Sequence, residues 1–217
     1  MGSGMAERDL EIARALGALS TSILADATEG KGAIAPGLIR FSGTGTVAGR
    51  AVTADCDEGS LQAVFSALDH AGPGAMLCTV APGNSAYLGD LLAADIARRG
   101  LAGAVIDGFI RDRAVISTMP LSFFARGLTP VALRRQAEGR AMVPLAIGGV
   151  TINPGDWIVA DDDGVLVLDP SEVGAVLAKA EENARLEARI MALVETGMKV
   201  NDAVRRALAE VASPPGR

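Results

Sequence analysis

The chain has 217 residues, 49% hydrophobic and 21% charged, which is the composition of a globular protein and not of a disordered one. Its 20 Lys and Arg against 26 Asp and Glu leave a formal charge of −6, so no basic field invites nucleic acid or an anionic membrane, and 3% aromatics provide little to stack on bases. One histidine, His70, excludes a histidine-rich metal site, and two cysteines, Cys56 and Cys78, cannot form a disulfide framework and point to a reducing cytoplasm.

No apolar run approaches the roughly 18 residues that a membrane span needs. Met1-Gly2-Ser3-Gly4 ahead of Met5 reads as an expression scar, which leaves 5–217 as one domain. A domain of that size buries roughly 70% of its unfolded surface and folds without disulfide or metal staples.

In chain order, Glu7 to Leu19 reads as a helix, with Leu10, Ala13, Leu16 and Ala18-Leu19 near helical spacing. Ser20 or Thr21 caps a second short helix through Ile23, Leu24 and Ala27, and Gly30-Lys31-Gly32 breaks it. Pro36 to Arg40 reads as irregular. Val47 to Ala54 is a strand carrying Gly49. Leu61 to Leu68 is a helix with Leu61, Val64, Phe65 and Leu68 on one face. After a Pro73-Gly74 turn, Ala75 to Val80 is a short buried strand. Pro82-Gly83-Asn84-Ser85 offers an N-cap to a helix running to about Arg99, and Gly103 to Asp107 is another buried strand.

Helix, strand, helix and strand over 61–107 make the βαβ pattern, with a parallel pair and a right-handed crossover. A short helix follows Arg111-Asp112, and a strand lies near Ser122 to Ala125. From Val143 to Leu168, turn signals at Gly148-Gly149, Asn153-Pro154-Gly155-Asp156 and Asp161-Asp162-Asp163-Gly164 separate short apolar runs as in a β-meander. Ser171 caps a long helix to about Val194, and a last helix follows Asn201.

Several chemistries find no support. A Ser-His-Asp triad would have to use His70, which sits where a histidine favours a helix C-terminal dipole, and no Gly-x-Ser-x-Gly elbow occurs. A Schiff base needs a desolvated lysine, yet Lys31, Lys179 and Lys199 all fall on polar loops or surface helices. The glycines of Ser42 to Gly49 precede a strand where a dinucleotide loop would follow one, so they read as turn chemistry. Asp161-Asp162-Asp163 lacks the alternating ligands of a calcium loop and reads as a solvated turn.

The informative stretch is Asp107-Gly108-Phe109-Ile110-Arg111-Asp112, where a buried strand ends and an Arg-Asp pair opens a helix. In open parallel sheets, sites gather at the carboxyl ends of strands. Asp112 offers a hard oxygen ligand of the kind Mg²⁺ takes, and Arg111 can hold a carboxylate or keto oxygen through paired hydrogen bonds. Adjacent side chains diverge on a regular helix or strand, so convergence of these two demands irregular backbone. The alternative is a helix-capping Asp112 beside a surface Arg111.

A second candidate is Gly83 to Leu92. A helix start presents unpaired N–H groups that suit an anion. Gly89 inside an otherwise good helix costs about 1 kcal/mol relative to Ala. Close approach of a ligand or backbone would account for it, and so would tight helix–sheet packing.

Together these segments resemble the RraA-like family, which contains the class II 4-hydroxy-4-methyl-2-oxoglutarate / 4-carboxy-4-hydroxy-2-oxoadipate aldolases. The resemblance runs from about Leu19 to Thr196. It is carried by Leu19-Ser20-Thr21-Ser22 with Asp26-Ala27, by Gly49-Arg50-Ala51-Val52-Thr53, and by Ala86-Tyr87-Leu88-Gly89-Asp90-Leu91-Leu92-Ala93. It continues through Asp107 to Asp112, Gly148-Gly149-Val150, Pro154-Gly155-Asp156 and Ala160 to Val165.

The resemblance implies an α/β fold of the swivelling β/β/α type, with a central sheet, flanking helices and a β-rich late section. It implies a homotrimer or hexamer with sites between subunits. Asp112 matches the ligand of Mg²⁺ or Mn²⁺. Arg111 matches the residue that binds the oxo-acid end and steadies an enolate. Asp90 matches the carboxylate that holds a water and handles the proton. Backbone around Gly89, Leu91 and Leu92 matches the seat of the pyruvyl carboxylate. A Glu from a neighbouring subunit completes the family's metal site; Glu187 is the best match, with Glu181 and Glu182 competing.

The activity so implied is divalent-metal-dependent cleavage of a small-molecule 2-oxo acid, a 4-hydroxy-2-oxo acid, to pyruvate through a metal-stabilised enolate, with oxaloacetate decarboxylation at the same site. Some relatives instead inhibit an RNA-degrading enzyme by docking on it, and others could apply metal–enolate chemistry to a different oxo acid. The chain departs from the family pattern at Pro82-Gly83-Asn84, where a second glycine is usual, and over Met119 to Arg126, where Phe123-Phe124 makes the segment unusually apolar.

Overall fold

A computed structural model of the chain describes residues 2–56, 59–133 and 138–212. Of the segment read as a scar, Met1 lies outside the described residues. Helices α1 (Gly2–Gly17) and α2 (Thr21–Ala27) lead into strands β1 (Ile39–Arg40) and β2 (Val47–Asp55). Next come α3 (Leu61–Leu68), β3 (Met76–Val80), β4 (Ala86–Leu88), α4 (Asp90–Arg98), β5 (Gly103–Ile110), α5 (Arg113–Ile116) and β6 (Ser122–Leu128). The late section holds β7 (Arg140–Ala141), β8 (Leu145–Ile147), β9 (Val150–Ile152), β10 (Trp157–Ala160) and β11 (Val165–Leu168), then α6 (Val173–Glu195) and α7 (Val200–Ala212).

The main sheet has nine strands in the order β1-β6-β5-β3-β2-β10-β11, with β4 added to β5 and β7 to β2. It curls like half a barrel. Its centre is parallel: β2 runs with β3, β3 with β5, and β5 with β6. Helix α3 makes the first crossover, and Ser60 starts it by accepting the N–H groups of Gln62 and Ala63. Both faces of this centre are covered, so its strands are apolar at successive positions instead of alternating. Ala104 and Ile106 face one core with Leu77, Phe123 and α3, whereas Val105 faces the other with Met76, Cys78 and Phe124. Each fully buried Ile or Phe of this kind contributes roughly 1.5–3 kcal/mol. Phe123 and Phe124 are therefore core residues of β6, the strand expected near Ser122 to Ala125.

Other expectations are corrected. Ile39–Arg40 is not irregular; it pairs antiparallel with β6. The region 143–168 is not one meander: β8 and β9 form their own two-stranded sheet, and the β10–β11 hairpin joins the main sheet through β2. Ser171 does not cap α6, whose N-cap position is Glu172; Ser171 instead donates its N–H and hydroxyl to Asp169. Asp161 is not a solvated turn residue, because it accepts the backbone N–H and hydroxyl of Thr21 at the start of α2. Those bonds, with one from the Asp163 N–H, outweigh the upward pull of burial and lower the Asp161 pKa.

Candidate active site

The site forms where β5 leaves the sheet. The helix expected from Ser85 starts later: Ala86–Leu88 extends the sheet as β4, and Gly89 is the residue before α4. The Arg111 N–H donates to the Leu88 carbonyl at 2.9 Å, which ties the end of β5 to the end of β4. Gly89 is not inside the helix, and its φ of −132° is open to any residue. Its missing side chain matters for another reason. A Cβ there would lie 2.5 Å from Asp112 Oδ2 and 3.0 Å from Arg111 Nε. The close approach is made by the two candidate side chains themselves.

Asp112 has φ 60° and ψ 38°, a left-handed conformation that Asp tolerates better than most residues. This is the irregular backbone that convergence demands. Although Asp112 stands at the N-cap position of α5, its side chain makes no capping bond there. Its Oδ2 instead accepts the Asp90 N–H at 3.2 Å and faces Arg111 Nε at 3.2 Å. Asp112 therefore does not cap the helix that follows it, α5; it takes the first N–H of α4 instead. The Asp112 and Arg111 side chains keep 34% and 37% exposure, so both remain reachable. Oδ1 of Asp112 has no hydrogen bond among the described residues.

Arg111 and Asp90 line a cleft of about 330 Å³ together with Gly89, Leu91, Leu92 and Tyr87. Asp112 is not part of the lining; its Oδ2 lies 3.2 Å from Arg111 Nε. The Leu91 N–H donates to Asp90 Oδ1 at 2.8 Å, so this helix start already holds carboxylate oxygens. Ala93 N–H is taken by the Gly89 carbonyl.

Glu187 does not line the cleft; it is exposed on α6, which packs against α2 and α7. Its competitors are engaged within α6, Glu182 with Lys179 at 2.9 Å and Glu181 with Arg185 at 3.9 Å. Among the described residues Glu187 has no ion pair, and no group of three or more His, Cys, Asp or Glu could hold a metal.

Sequence reading missed three contributions. Tyr87 is buried and donates its hydroxyl to the Pro82 carbonyl at 2.9 Å, which ties the departing Pro82 loop to the cleft wall. Burial, helped by nearby Cys56, pushes its pKa up to about 12, so it stays a donor at neutral pH. Leu61 and Phe65 line the cleft from α3, and Ala132 and Leu133 line it from the segment after β6. The Leu61–Leu68 stripe was legible as a helix face, but nothing in it marked Phe65 as the residue left at a cleft. Elsewhere, His70 is a helix-end residue whose Nδ1 lies 2.9 Å from the Ser66 carbonyl. All three lysines are exposed, and Cys56 and Cys78 are free and buried.

These features define a mixed α/β protein with a swivelling β/β/α fold and an Arg-Asp pair at the carboxyl end of a parallel strand. The family model described as RraA-like, Aldolase/RraA, matches residues 21–167, and the chain belongs to that family. Two curated relatives carry the name "Putative 4-hydroxy-4-methyl-2-oxoglutarate aldolase". The one from Halalkalibacterium halodurans is 31% identical over 90% of this chain and 95% of its own length. The one from Aromatoleum aromaticum is 35% identical over 70% of this chain and 96% of its own. Among solved structures, Streptomyces coelicolor RraAS2, described as an unusual member of the RNase ES inhibitor RraA protein family, superposes with a TM-score of 0.72. It is 29% identical and covers 82% of this chain and 95% of its own.

Proposed function

We propose that this chain is a divalent-metal-dependent lyase that cleaves 4-hydroxy-2-oxo acids to pyruvate and decarboxylates oxaloacetate at the same site. The observation that carries this reading is the convergence of the Arg111 and Asp112 side chains on the gap left by Gly89, with Asp112 Oδ2 accepting the Asp90 N–H beside it. The donor set suits Mg²⁺ or Mn²⁺ better than zinc. Asp112 offers a reachable carboxylate oxygen, and Mg²⁺ accepts one or two carboxylates plus waters, whereas zinc sites use three or four protein ligands. A neighbouring copy in a trimer or hexamer would add a second carboxylate, Glu187.

When bound, such an ion supplies Lewis acidity to the 2-oxo group and spreads the negative charge that develops on bond cleavage. The chain's own residues do the rest. Arg111 lays its planar fork on the oxo-acid end and holds a fixed positive charge where the enolate forms. The N-terminus of α4 at Leu91 and Leu92 seats the substrate carboxylate, which displaces Asp90 from the Leu91 N–H. Asp90, so released, takes the 4-hydroxyl proton through a water and later returns a proton to C3. Gly89 keeps the Asp112 and Arg111 side chains against this point.

The test is pyruvate release from oxaloacetate with added Mg²⁺, with and without EDTA. The reading requires activity that chelator and Asp112→Ala both abolish. Activity surviving both refutes it. The likeness to RraAS2 favours a second reading, a regulator that docks on an RNA-degrading enzyme. A stoichiometric nuclease partner in pull-downs, with no turnover, would favour that one.

A further inference from the structure

A second cavity, of about 330 Å³, shares no lining residue with the cleft. It lies between α1 and β2, toward the other end of α3: Leu61 and Phe65 of that helix face the cleft, and His70, just past its end, lines this cavity. Leu10, Val52 and Met142 give it apolar walls, and Leu10 is 40% exposed although it sits on the face of α1 turned toward the sheet.

Its polar groups are arranged for a ring. Arg50 donates from Nε at 3.3 Å and Nη2 at 2.8 Å to Asp9 Oδ1, and from Nη1 at 2.9 Å to the Gly155 carbonyl. Its guanidinium also lies over the Trp157 indole, 4.6 Å from the ring centroid. Those bonds run in the guanidinium plane and the indole covers one face, so Arg50 meets a ligand chiefly with its other face, a surface on which aromatic rings stack. Asp9 cancels the Arg50 charge, and both side chains keep 32% exposure and stay reachable. An anion placed here gains little from Arg50 and has the Asp9 carboxylate beside it. His70 supplies a further acceptor. Its Nδ1 lies 2.9 Å from the Ser66 carbonyl, which can only accept, so Nδ1 carries the hydrogen and the neutral ring leaves Nε2 with a lone pair. We propose that this second cavity binds a flat, uncharged heteroaromatic ring with an exocyclic amino group, the chemistry of an aminated nucleobase, stacked on Arg50 with its amino hydrogens toward Asp9 or His70. The inference does not depend on the proposed function.

The experiment reads the emission of Trp157, the one tryptophan of the chain, in the full-length protein. Three matched probes are titrated: adenine; purine, which lacks the amino group; and purine-6-carboxylate, which is anionic. Adenine should change the emission saturably with a Kd at or below about 1 mM. Purine should bind about fivefold more weakly and purine-6-carboxylate at least about tenfold more weakly. His70→Ala, at an exposed position, should weaken adenine about fivefold. Asp9→Asn releases the Arg50 charge and should move the ratio of adenine to purine-6-carboxylate affinity toward the carboxylate by at least about tenfold. Asp90→Asn, in the cleft, should leave the adenine Kd unchanged. No saturable change with adenine, a wild-type preference for the carboxylate, affinities unmoved by both His70→Ala and Asp9→Asn, or an adenine Kd shifted by Asp90→Asn would each overturn the inference.

Discussion

Gly89→Ala separates the candidate site from the fold more cleanly than removal of a charged residue. The backbone at Gly89, φ −132° and ψ −171°, accepts alanine without strain, so any effect must come through the new Cβ. That atom would lie 2.5 Å from Asp112 Oδ2, against an ordinary separation of roughly 3.5 Å, so the carboxylate must retreat by about 1 Å. Arg111 Nε, 3.0 Å from the same point, must also give way. A misplacement of about 1 Å costs on the order of a hundredfold in rate, equivalent to about 2.7 kcal/mol in the barrier. Stability should hardly change. Weakening the 3.2 Å bond from the Asp90 N–H loses about 1 kcal/mol at most. The reduced freedom of the unfolded chain on replacing glycine returns roughly 0.4–1 kcal/mol. The assay is steady-state pyruvate release beside a thermal melt: kcat should fall about a hundredfold while Tm moves by only a few degrees. A variant with wild-type kcat would show that the proximity of these side chains has no catalytic consequence.

Other predictions follow the same logic. Arg111→Lys should fold normally and lose most turnover, because a point charge does not reproduce the planar fork; an unchanged kcat would contradict that. Asp112→Gly should abolish turnover yet keep stability within about 1 kcal/mol, since glycine occupies the left-handed conformation freely, while Asp112→Val should lose roughly 2 kcal/mol in a denaturant titration. Equal stabilities of the two variants would argue against that backbone geometry. The lowered pKa of Asp161 gives a stabilising contribution that is complete above its unfolded value near ~3.9 and is lost as pH falls through its folded value. Melts should therefore show a fall in wild-type Tm below about pH 4 that is shallower in Asp161→Asn, and parallel acid limbs would contradict the Thr21–Asp161 link.

The parallel centre of the sheet was legible because its strands are short unbroken apolar runs separated by glycine turns, a pattern that only two-sided burial produces. The Arg111-Asp112 pair was legible for a similar reason: a polar couple directly after such a run falls at a strand's carboxyl end. Strand β4 was not legible. Three residues carry no periodicity, and the Asn84-Ser85 that precedes them looks like a helix cap, so the sequence alone points to a helix that begins before β4. Such a helix would enclose Gly89, which masks the side chains that this glycine accommodates. The Thr21–Asp161 link joins positions 140 residues apart and left no local trace in either segment. Phe65 could not be told from its buried neighbours, because helical spacing marks a face without marking what covers it.

Enolate formation can be watched without a complete substrate. In D₂O with Mg²⁺, a protein whose Arg111, Asp112 and Asp90 act together should exchange the methyl protons of pyruvate for deuterium, with loss of the methyl signal in the proton NMR spectrum. Asp112→Ala and Asp90→Asn should each leave that signal intact. A wild-type protein that leaves pyruvate undeuterated, or an Asp112→Ala variant that exchanges it as fast as wild type, would contradict the account.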